Sequence, residues 1–301
     1  MSVPQHLSIS HETVYRYERP VTFSEHRAMF RPRDSHDLRV IDAQLTLSPP
    51  GNVRWIHDVF SNSIALITFD QAASELRFDS RIEIEHYGLD EPSFMTREHA
   101  ATYPFRYDND QVVDLLPTLQ CHYPDPEGAV SAWARQFVDP GGVDTQELLV
   151  RINREIKARF DYQPRAIHGT QTPTETLALG SGTCRDFALF MIEAVRSLGM
   201  AARFVTGYLY DPSIDGASDG MVGSGATHAW VQVYLPGAGW VEFDPTNGLV
   251  GGAHLIRVAV ARDPRQAIPL SGAYSGYATD FIEMQVDVRV SAGARRSVPA
   301  L

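Results

Sequence analysis

Short stretches of alternating apolar and polar residues dominate the first third of the chain. They are rich in β-branched and aromatic residues, and turn-forming segments such as Ser48-Pro-Pro-Gly-Asn52 and Gly88 separate them. A period of two residues is typical of half-buried strands. The pattern predicts strands at Glu12–Tyr17, Leu38–Leu47, Val53–Ile56, Ile64–Phe69 and Arg81–His86. We therefore predict an all-β sandwich domain over residues 1–90.

The next segment, residues 91–142, contains many prolines and few regular periods. We interpret it as a linker that packs on both neighbours, with one helix near Ala129–Phe137. Beyond it the apolar period becomes that of a helix. Asp144 and Glu147 have capping-box spacing, and the apolar stripe that follows is Leu148, Leu149, Ile152, Ile156 and Phe160.

Two further helices and three strands complete a predicted core over residues 143–250. Thr172 to Glu175 starts a short helix that Gly180 ends, and a longer helix begins at Thr183-Cys184 and ends at Gly199. The predicted strands are Ala202–Tyr210, His228–Leu235 and Trp240–Asp244. Residues 211–225 are rich in glycine, serine and aspartate, which predicts a mobile surface loop.

The remaining residues, 251–301, form a predicted C-terminal β extension. Its strands lie near Leu255–Ala261 and Ile282–Val290, and the pattern does not decide which domain they join.

Cys184 is the candidate nucleophile. A thiol attacks only as its thiolate, and the free N–H groups and dipole at a helix start favour negative charge. Gly180-Ser-Gly182 leads the chain into that helix start and places Cys184 in the first turn. The alternative is that Cys184 is a small buried hydrophobe, as most free cysteines are. The other cysteine, Cys121, lacks such a context.

A histidine and an aspartate on neighbouring strands supply a candidate base and an orienting acid. If Pro236 to Ala238 is a three-residue hairpin loop, Trp230 faces Asp244, and His228 becomes a diagonal neighbour of Asp244 on one face. A loop of two or four residues would put them on opposite faces. The plainer alternatives are a structural histidine and a turn aspartate before proline.

In this arrangement Asp244 would fix the tautomer of His228 and stabilise the imidazolium, while His228 exchanges a proton with Cys184. Trp230 could shield the pair from water. Asp186, three residues after Thr183, is better explained as a helix-capping carboxylate than as a catalytic acid.

The order of these motifs resembles the transglutaminase-like core of the papain-like cysteine enzymes. The resemblance spans roughly residues 144–248, and the segment from His11 to Arg33 is similar to the β domain that precedes this core in bacterial members. The motifs that carry it are Gly182-Thr-Cys-Arg-Asp-Phe-Ala188, Thr227-His-Ala-Trp-Val231 and Phe243-Asp-Pro-Thr-Asn247.

The resemblance implies an α+β fold in which the cysteine helix packs on an antiparallel sheet. It also implies a nucleophile, base and acid at Cys184, His228 and Asp244. In relatives an aromatic side chain can assist the oxyanion hole. Tyr162 is the candidate for that role, or a packing residue. His11 and His26 match the β-domain pattern, and we expect structural roles for both.

Composition excludes several other classes of function. The formal net charge of −11 argues against nucleic acid or an anionic membrane surface as a partner. Two cysteines are too few for a disulfide framework, and no motif indicates a metal or a cofactor. The start of the sequence lacks a basic and apolar leader pattern, so we expect a cytoplasmic protein.

We therefore predict a cysteine-dependent amide-bond hydrolase or acyl transferase acting on a peptide or protein substrate. Hydrolysis is favoured, because water needs no second binding site. The alternatives are a protein-glutamine amine transferase and a non-catalytic peptide-binding module on the same fold. The natural substrate and the oligomeric state stay open.

Overall fold

Strands outnumber helices in the computed structural model, which describes residues 4–88, 95–165, 169–212, 221–222 and 225–292. In chain order the first strands are β1 (Gln5–Phe23), β2 (His26–Ala28), β3 (Leu38–Ser48), β4 (Gly51–His57), β5 (Ser63–Phe69), β6 (Ala73–His86), β7 (Thr102–Tyr103), β8 (Val143–Asp144), β9 (Asp161–Tyr162) and β10 (Ser181–Gly182). The later strands are β11 (Ala202–Leu209), β12 (His228–Leu235), β13 (Gly239–Asp244), β14 (Leu249–Val250), β15 (Leu255–Ala261), β16 (Leu270–Ser271), β17 (Tyr274–Ser275) and β18 (Phe281–Ala292). The helices are α1 (Glu98–Ala101), α2 (Asn109–Leu119), α3 (Ala129–Arg135), α4 (Thr145–Arg159), α5 (Pro173–Leu179) and α6 (Cys184–Ser197).

Two antiparallel sheets form the N-terminal sandwich. In one, β1 pairs with β6 on one side and with β17 and β18 on the other, and β6 also pairs with β3. The other has the order β16-β2-β5-β4. The apolar positions of both sheets meet in a core that includes Tyr17, Val21, Phe30, Ile67, Leu76 and Phe78. The predicted β-sandwich is thus confirmed.

The second unit is an antiparallel sheet of order β14-β13-β12-β11-β15 with α6 packed on one face. The buried side of α6 meets the side of β12 that carries Ala229, Val231 and Val233. The stripe predicted on α4 is buried against the same cluster. This arrangement confirms the predicted α+β fold.

Strands from the C-terminal segment enter all three of these sheets. β15 pairs with β11 of the core, β16 pairs with β2, and β17 and β18 pair with β1. An apolar cluster continues across the junction, where Leu7 and Ile9 pack with Tyr208 and Ile256. The segment therefore ties the sandwich to the core.

His11 lies in this junction and is almost completely buried. Its ring nitrogens lie 3.0 Å from the Tyr208 hydroxyl and 3.2 Å from Thr13 Oγ1. Burial lowers the pKa of His11 to about 4, so the ring stays neutral at physiological pH. His26 is also buried, and its Nδ1 lies 2.9 Å from the Ser24 carbonyl oxygen. These contacts are structural, as expected for both histidines.

The segment predicted as a linker holds more helix than its sequence indicated. Besides α3, it contains α2, which the prolines concealed. Asp108 and Gln111 form a capping box at the start of α2. Pro117 lies in the last turn, where little helix remains after it. Within the described ranges, no helix has both the length and the apolar character needed to span a membrane.

Gly207, in the middle of β11, provides a test of the packing beside the candidate site. A Cβ at this position would lie 2.1 Å from the Ile256 carbonyl oxygen and 2.8 Å from Cη2 of Trp230. We predict that Gly207→Ala lowers the free energy of unfolding by about 3 kcal/mol, because the backbone of β15 must move. Urea denaturation measures the change.

The matched control is Gly141→Ala, where an added Cβ would meet no atom within 4 Å. Its effect should stay within about 0.5 kcal/mol. Equal stability of the two variants would contradict the close β11–β15 packing.

Candidate active site

Cys184 is the first residue of α6, and local capping fixes its position. Thr183 is the N-cap residue, and its side chain accepts a hydrogen bond from the Asp186 N–H. In return Asp186 Oδ2 accepts from the Thr183 N–H at 2.8 Å and from the Thr183 hydroxyl at 2.9 Å. Asp186 is thus the capping carboxylate that the spacing predicted.

Asp186 also anchors the chain that precedes the helix. Arg165 donates to its two oxygens at 2.9 and 3.1 Å, and the Gln171 N–H donates at 2.7 Å. A Cβ on Gly182 would lie only 2.8 Å from the Cβ of Asp186, so glycine is required there. The completely buried carboxylate therefore holds the helix start and its approach in one geometry.

His228 and Asp244 meet through the register of β12 and β13. Leu235 pairs with Gly239 and Tyr234 with Trp240, so the hairpin has the predicted three-residue loop. His228 Nε2 lies 2.9 Å from Asp244 Oδ2, and both residues are buried. The predicted diagonal contact between the two side chains is therefore present.

Each residue of this pair stabilises the charged form of the other. Burial alone would lower the pKa of His228, but the charge and hydrogen bond of Asp244, with a smaller contribution from Cys184, raise it above its usual value. Burial alone would raise the pKa of Asp244, and His228, Asn247 and the Thr246 N–H lower it instead. At neutral pH the pair is an imidazolium and a carboxylate.

The other nitrogen of His228 is available to the cysteine. In the part of the chain that the structure describes, Nδ1 is buried and has no conventional hydrogen-bond partner. Cys184 is a buried residue, 7% exposed, and its side chain lies close enough to the ring of His228 to raise the pKa of that ring. The structure thus brings Cys184, His228 and Asp244 together at one place.

Tyr162 lies near Cys184, and Trp230 lies against His228. β9 pairs in parallel with β10, which places Tyr162 beside the cysteine helix. Burial, followed by the charges of Cys184 and Asp186, raises the pKa of Tyr162 to about 12. Trp230 is fully buried, and its ring stacks on His228 with centroids 6.0 Å apart.

Arg185 and Asn247 are two contributors that the sequence reasoning missed. The guanidinium of Arg185 donates to the carbonyls of Pro264 at 2.7 Å and Ala267 at 3.3 Å, which holds a cation beside Cys184. Asn247 donates to Asp244 Oδ2 at 2.8 Å. The only available signals were their adjacency to Cys184 and their place after Asp-Pro.

Asn247 also fixes the chain that precedes His228. Its side chain accepts from the Val222 N–H at 3.0 Å and donates to the Val222 carbonyl at 3.1 Å. Most of the predicted mobile loop, residues 213–220 and 223–224, lies outside the described residues. Among the described residues, no group of three or more histidine, cysteine, aspartate or glutamate side chains could hold a metal ion.

A cysteine helix packed on an antiparallel sheet that carries a histidine–aspartate pair defines a papain-like, transglutaminase-like architecture. Residues 131–245 match the model of the transglutaminase-like superfamily, and residues 7–85 match that of the bacterial transglutaminase-like N-terminal region. The chain thus contains a transglutaminase-like core preceded by the N-terminal domain of bacterial transglutaminase-like proteins.

Several known proteins are similar to this chain. An uncharacterized protein of Mycobacterium leprae is 28% identical over 94% of this chain and 98% of its own length. A "protein-glutamine gamma-glutamyltransferase" of Pseudomonas aeruginosa is 33% identical, over 29% of this chain and 14% of its own. The solved structure of a "putative cysteine protease" from Cytophaga hutchinsonii shares the fold, with a TM-score of 0.71, 19% identity and coverage of 99% of this chain and 94% of that one.

The titration of His228 tests the electrostatics of the pair. We predict that the imidazole stays protonated well above pH 6.5 in the wild type, because Asp244 raises its pKa. In Asp244→Asn the charge is gone while burial remains, so the pKa should fall below 6.5. Histidine NMR signals followed against pH measure both values.

The raised pKa also sets a sign for stability. The stabilisation that His228 contributes through this pair is fully present below the unfolded pKa of about 6.5, and it is lost as pH rises through the raised pKa of the folded protein.

For the titration experiment, an unchanged His228 pKa in Asp244→Asn would show that the carboxylate does not control the histidine.

Proposed function

We propose that the protein is a cysteine-dependent enzyme that opens amide bonds, with Cys184 as nucleophile, His228 as general base and acid, and Asp244 as the orienting carboxylate. The observation that carries the proposal is the buried His228–Asp244 bond beside a cysteine at a helix start. A buried, charged pair next to a nucleophile is the arrangement that thiolate chemistry requires.

In the first half-reaction the Cys184 thiolate attacks the carbonyl carbon of an amide, and the imidazolium of His228 provides charge balance. The oxygen of the tetrahedral intermediate is stabilised by N–H groups at the start of α6. His228 then gives its proton to the leaving nitrogen as the C–N bond breaks. The products are a free amine and a thioester on Cys184.

In the second half-reaction an acceptor attacks the thioester, and His228 takes the acceptor's proton. The acyl group leaves on the acceptor, and Cys184 returns to the thiolate. Water as acceptor gives a carboxylic acid, whereas an amine gives a new amide. We favour water, because hydrolysis needs no second binding site, and the name of the Cytophaga hutchinsonii neighbour agrees with that choice.

A transferase is the second candidate, favoured by the local similarity to the Pseudomonas aeruginosa glutamyltransferase. A binding module without catalysis is disfavoured, because the nucleophile, base and acid are all present. We further propose that Tyr162 assists the oxyanion hole, since its hydroxyl lies within the electrostatic reach of Cys184. Trp230 would keep water from the histidine–aspartate pair.

The nucleophile is tested by profiling the purified protein against peptide and glutamine–amine libraries. We predict that Cys184→Ala reduces turnover to background and that His228→Ala reduces it by about 10³-fold or more. Release of a free acid identifies a hydrolase, and incorporation of the amine identifies a transferase.

Cys121→Ala is the matched control for this experiment and should keep full turnover. Cys121 lies at the surface, and partial burial of its thiol, together with the charge of Glu193, raises its pKa. Turnover that survives Cys184→Ala would reject the assignment of the nucleophile.

Alkylation by iodoacetamide tests the thiolate itself. In a Cys121→Ser background, we predict that Cys184 reacts at pH 6 at least about tenfold faster than a free thiol, which is less than about 1% ionised there. Asp244→Asn should slow the reaction, because the imidazolium that stabilises the thiolate is lost. Intact-mass spectrometry measures the rates.

The reverse background, Cys184→Ser, reports on Cys121 alone. Its labelling at pH 6 should be slower than that of a free thiol. If Cys184 reacts no faster than Cys121, Cys184 is not held as a thiolate, and the non-catalytic binding module becomes the better supported alternative.

A further inference from the structure

A cavity of about 180 Å³ lies where the sandwich meets the core sheet. One side comes from the sandwich, and the other comes from β11 and β15. Three arginines line it, Arg33, Arg203 and Arg257, and its lining also includes Asp34 and Phe60. It contains none of the three candidate catalytic residues.

Two of the charged side chains that line the cavity already have partners. Arg257 donates to Glu242 at 2.8 Å and to Asp37 at 3.1 Å, so its charge is balanced within the protein. Asp34 uses Oδ1 to accept from the Val40 N–H at 2.8 Å. Asp34 keeps its negative charge, and Arg33 and Arg203 are the two arginines of the lining that make no ion pair among the described residues.

Within the described part of the chain, Arg203 makes hydrogen-bond and ring contacts in place of an ion pair. Its Nε donates to Gln232 Oε1 at 2.8 Å, and its guanidinium lies over the Trp240 ring, 4.0 Å from the centroid. Among the described residues no carboxylate lies within ion-pair distance of it. Burial and then the charge of Arg257 lower the pKa of Arg203 to about 9, while the more distant charge of Glu242 opposes them. A largely buried cation that makes no ion pair is costly unless an anion joins it.

We propose that this cavity binds a small anion through a carboxylate or phosphoryl group, with Arg203 and Arg33 as its ligands. A planar guanidinium held by Trp240 and Gln232 presents its remaining N–H groups in the fixed geometry that such oxygens bind. Arg33 is exposed and completes the rim, where it also donates to the Phe60 carbonyl at 3.3 Å.

Arg203 also borders a larger cavity of about 450 Å³ on its other side, lined by Asp114, Arg262 and Tyr234 among others. Two guanidinium groups line that cavity against three in the smaller one. Because Arg257 is already ion-paired, the choice rests on size: the smaller cavity matches a small anion, and variants on either side separate the two locations.

Isothermal titration calorimetry of the intact chain tests the site, with sodium phosphate and sodium acetate as separate probes and sodium chloride at equal ionic strength as the reference. We expect saturable binding of at least one probe. Affinity should fall about tenfold or more in Arg203→Gln and clearly in Arg33→Gln, because a charged ligand is lost. Phosphate binding alone identifies a phosphoryl ligand, and acetate binding identifies a carboxylate.

Arg154→Gln, an exposed arginine on α4, is the matched control for charge and should bind as the wild type does. Arg262→Gln should also bind normally. Cys184→Ala should keep full affinity, so the anion site and the proposed catalysis succeed or fail separately.

Three results would overturn the proposal: no binding beyond that in chloride, equal affinity in Arg203→Gln, or loss in Arg262→Gln with retention in Arg33→Gln. If Arg203→Gln does not fold, the exposed Arg33→Gln still decides, and unchanged affinity there would then reject the site.

Discussion

The hydrogen bond between His228 and Asp244 is the interaction on which the rest of the site depends. It exists because the three-residue loop between β12 and β13 sets a register in which both side chains leave the same face of the sheet. A slip of one residue would send one of them to the opposite face. Because both groups are buried, neither could keep its charge without the other.

The cysteine reaches this pair through contacts from distant parts of the chain. Asp186 caps α6 and holds Arg165 and Gln171, so the approach to the helix start is fixed by one buried carboxylate. Arg185 is held by carbonyls of the C-terminal segment, which also supplies β15 to the core sheet. Cys184 is therefore positioned by contacts from several parts of the core and not by its helix alone.

The parts of the structure that follow local rules could be predicted from the sequence. The start of α6 follows from a capping residue and its Asp186 partner, and the β12–β13 hairpin follows from a three-residue loop with glycine. α2 was missed because Pro117 masked an otherwise regular helix. The partners of the Asn247 side chain depend on packing between remote segments, and so does the lack of an ion pair at Arg203 among the described residues. No local sequence pattern encodes such packing.

The most direct test of the central claim is to trap the acyl-enzyme. The protein is mixed with an activated peptide ester, quenched in acid within seconds, digested, and mapped by mass spectrometry. We predict a thioester on Cys184 in the wild type and its absence in His228→Ala under the same conditions. An adduct on Cys121, or none on Cys184 while substrate is consumed, would contradict the proposal that Cys184, His228 and Asp244 act as one unit.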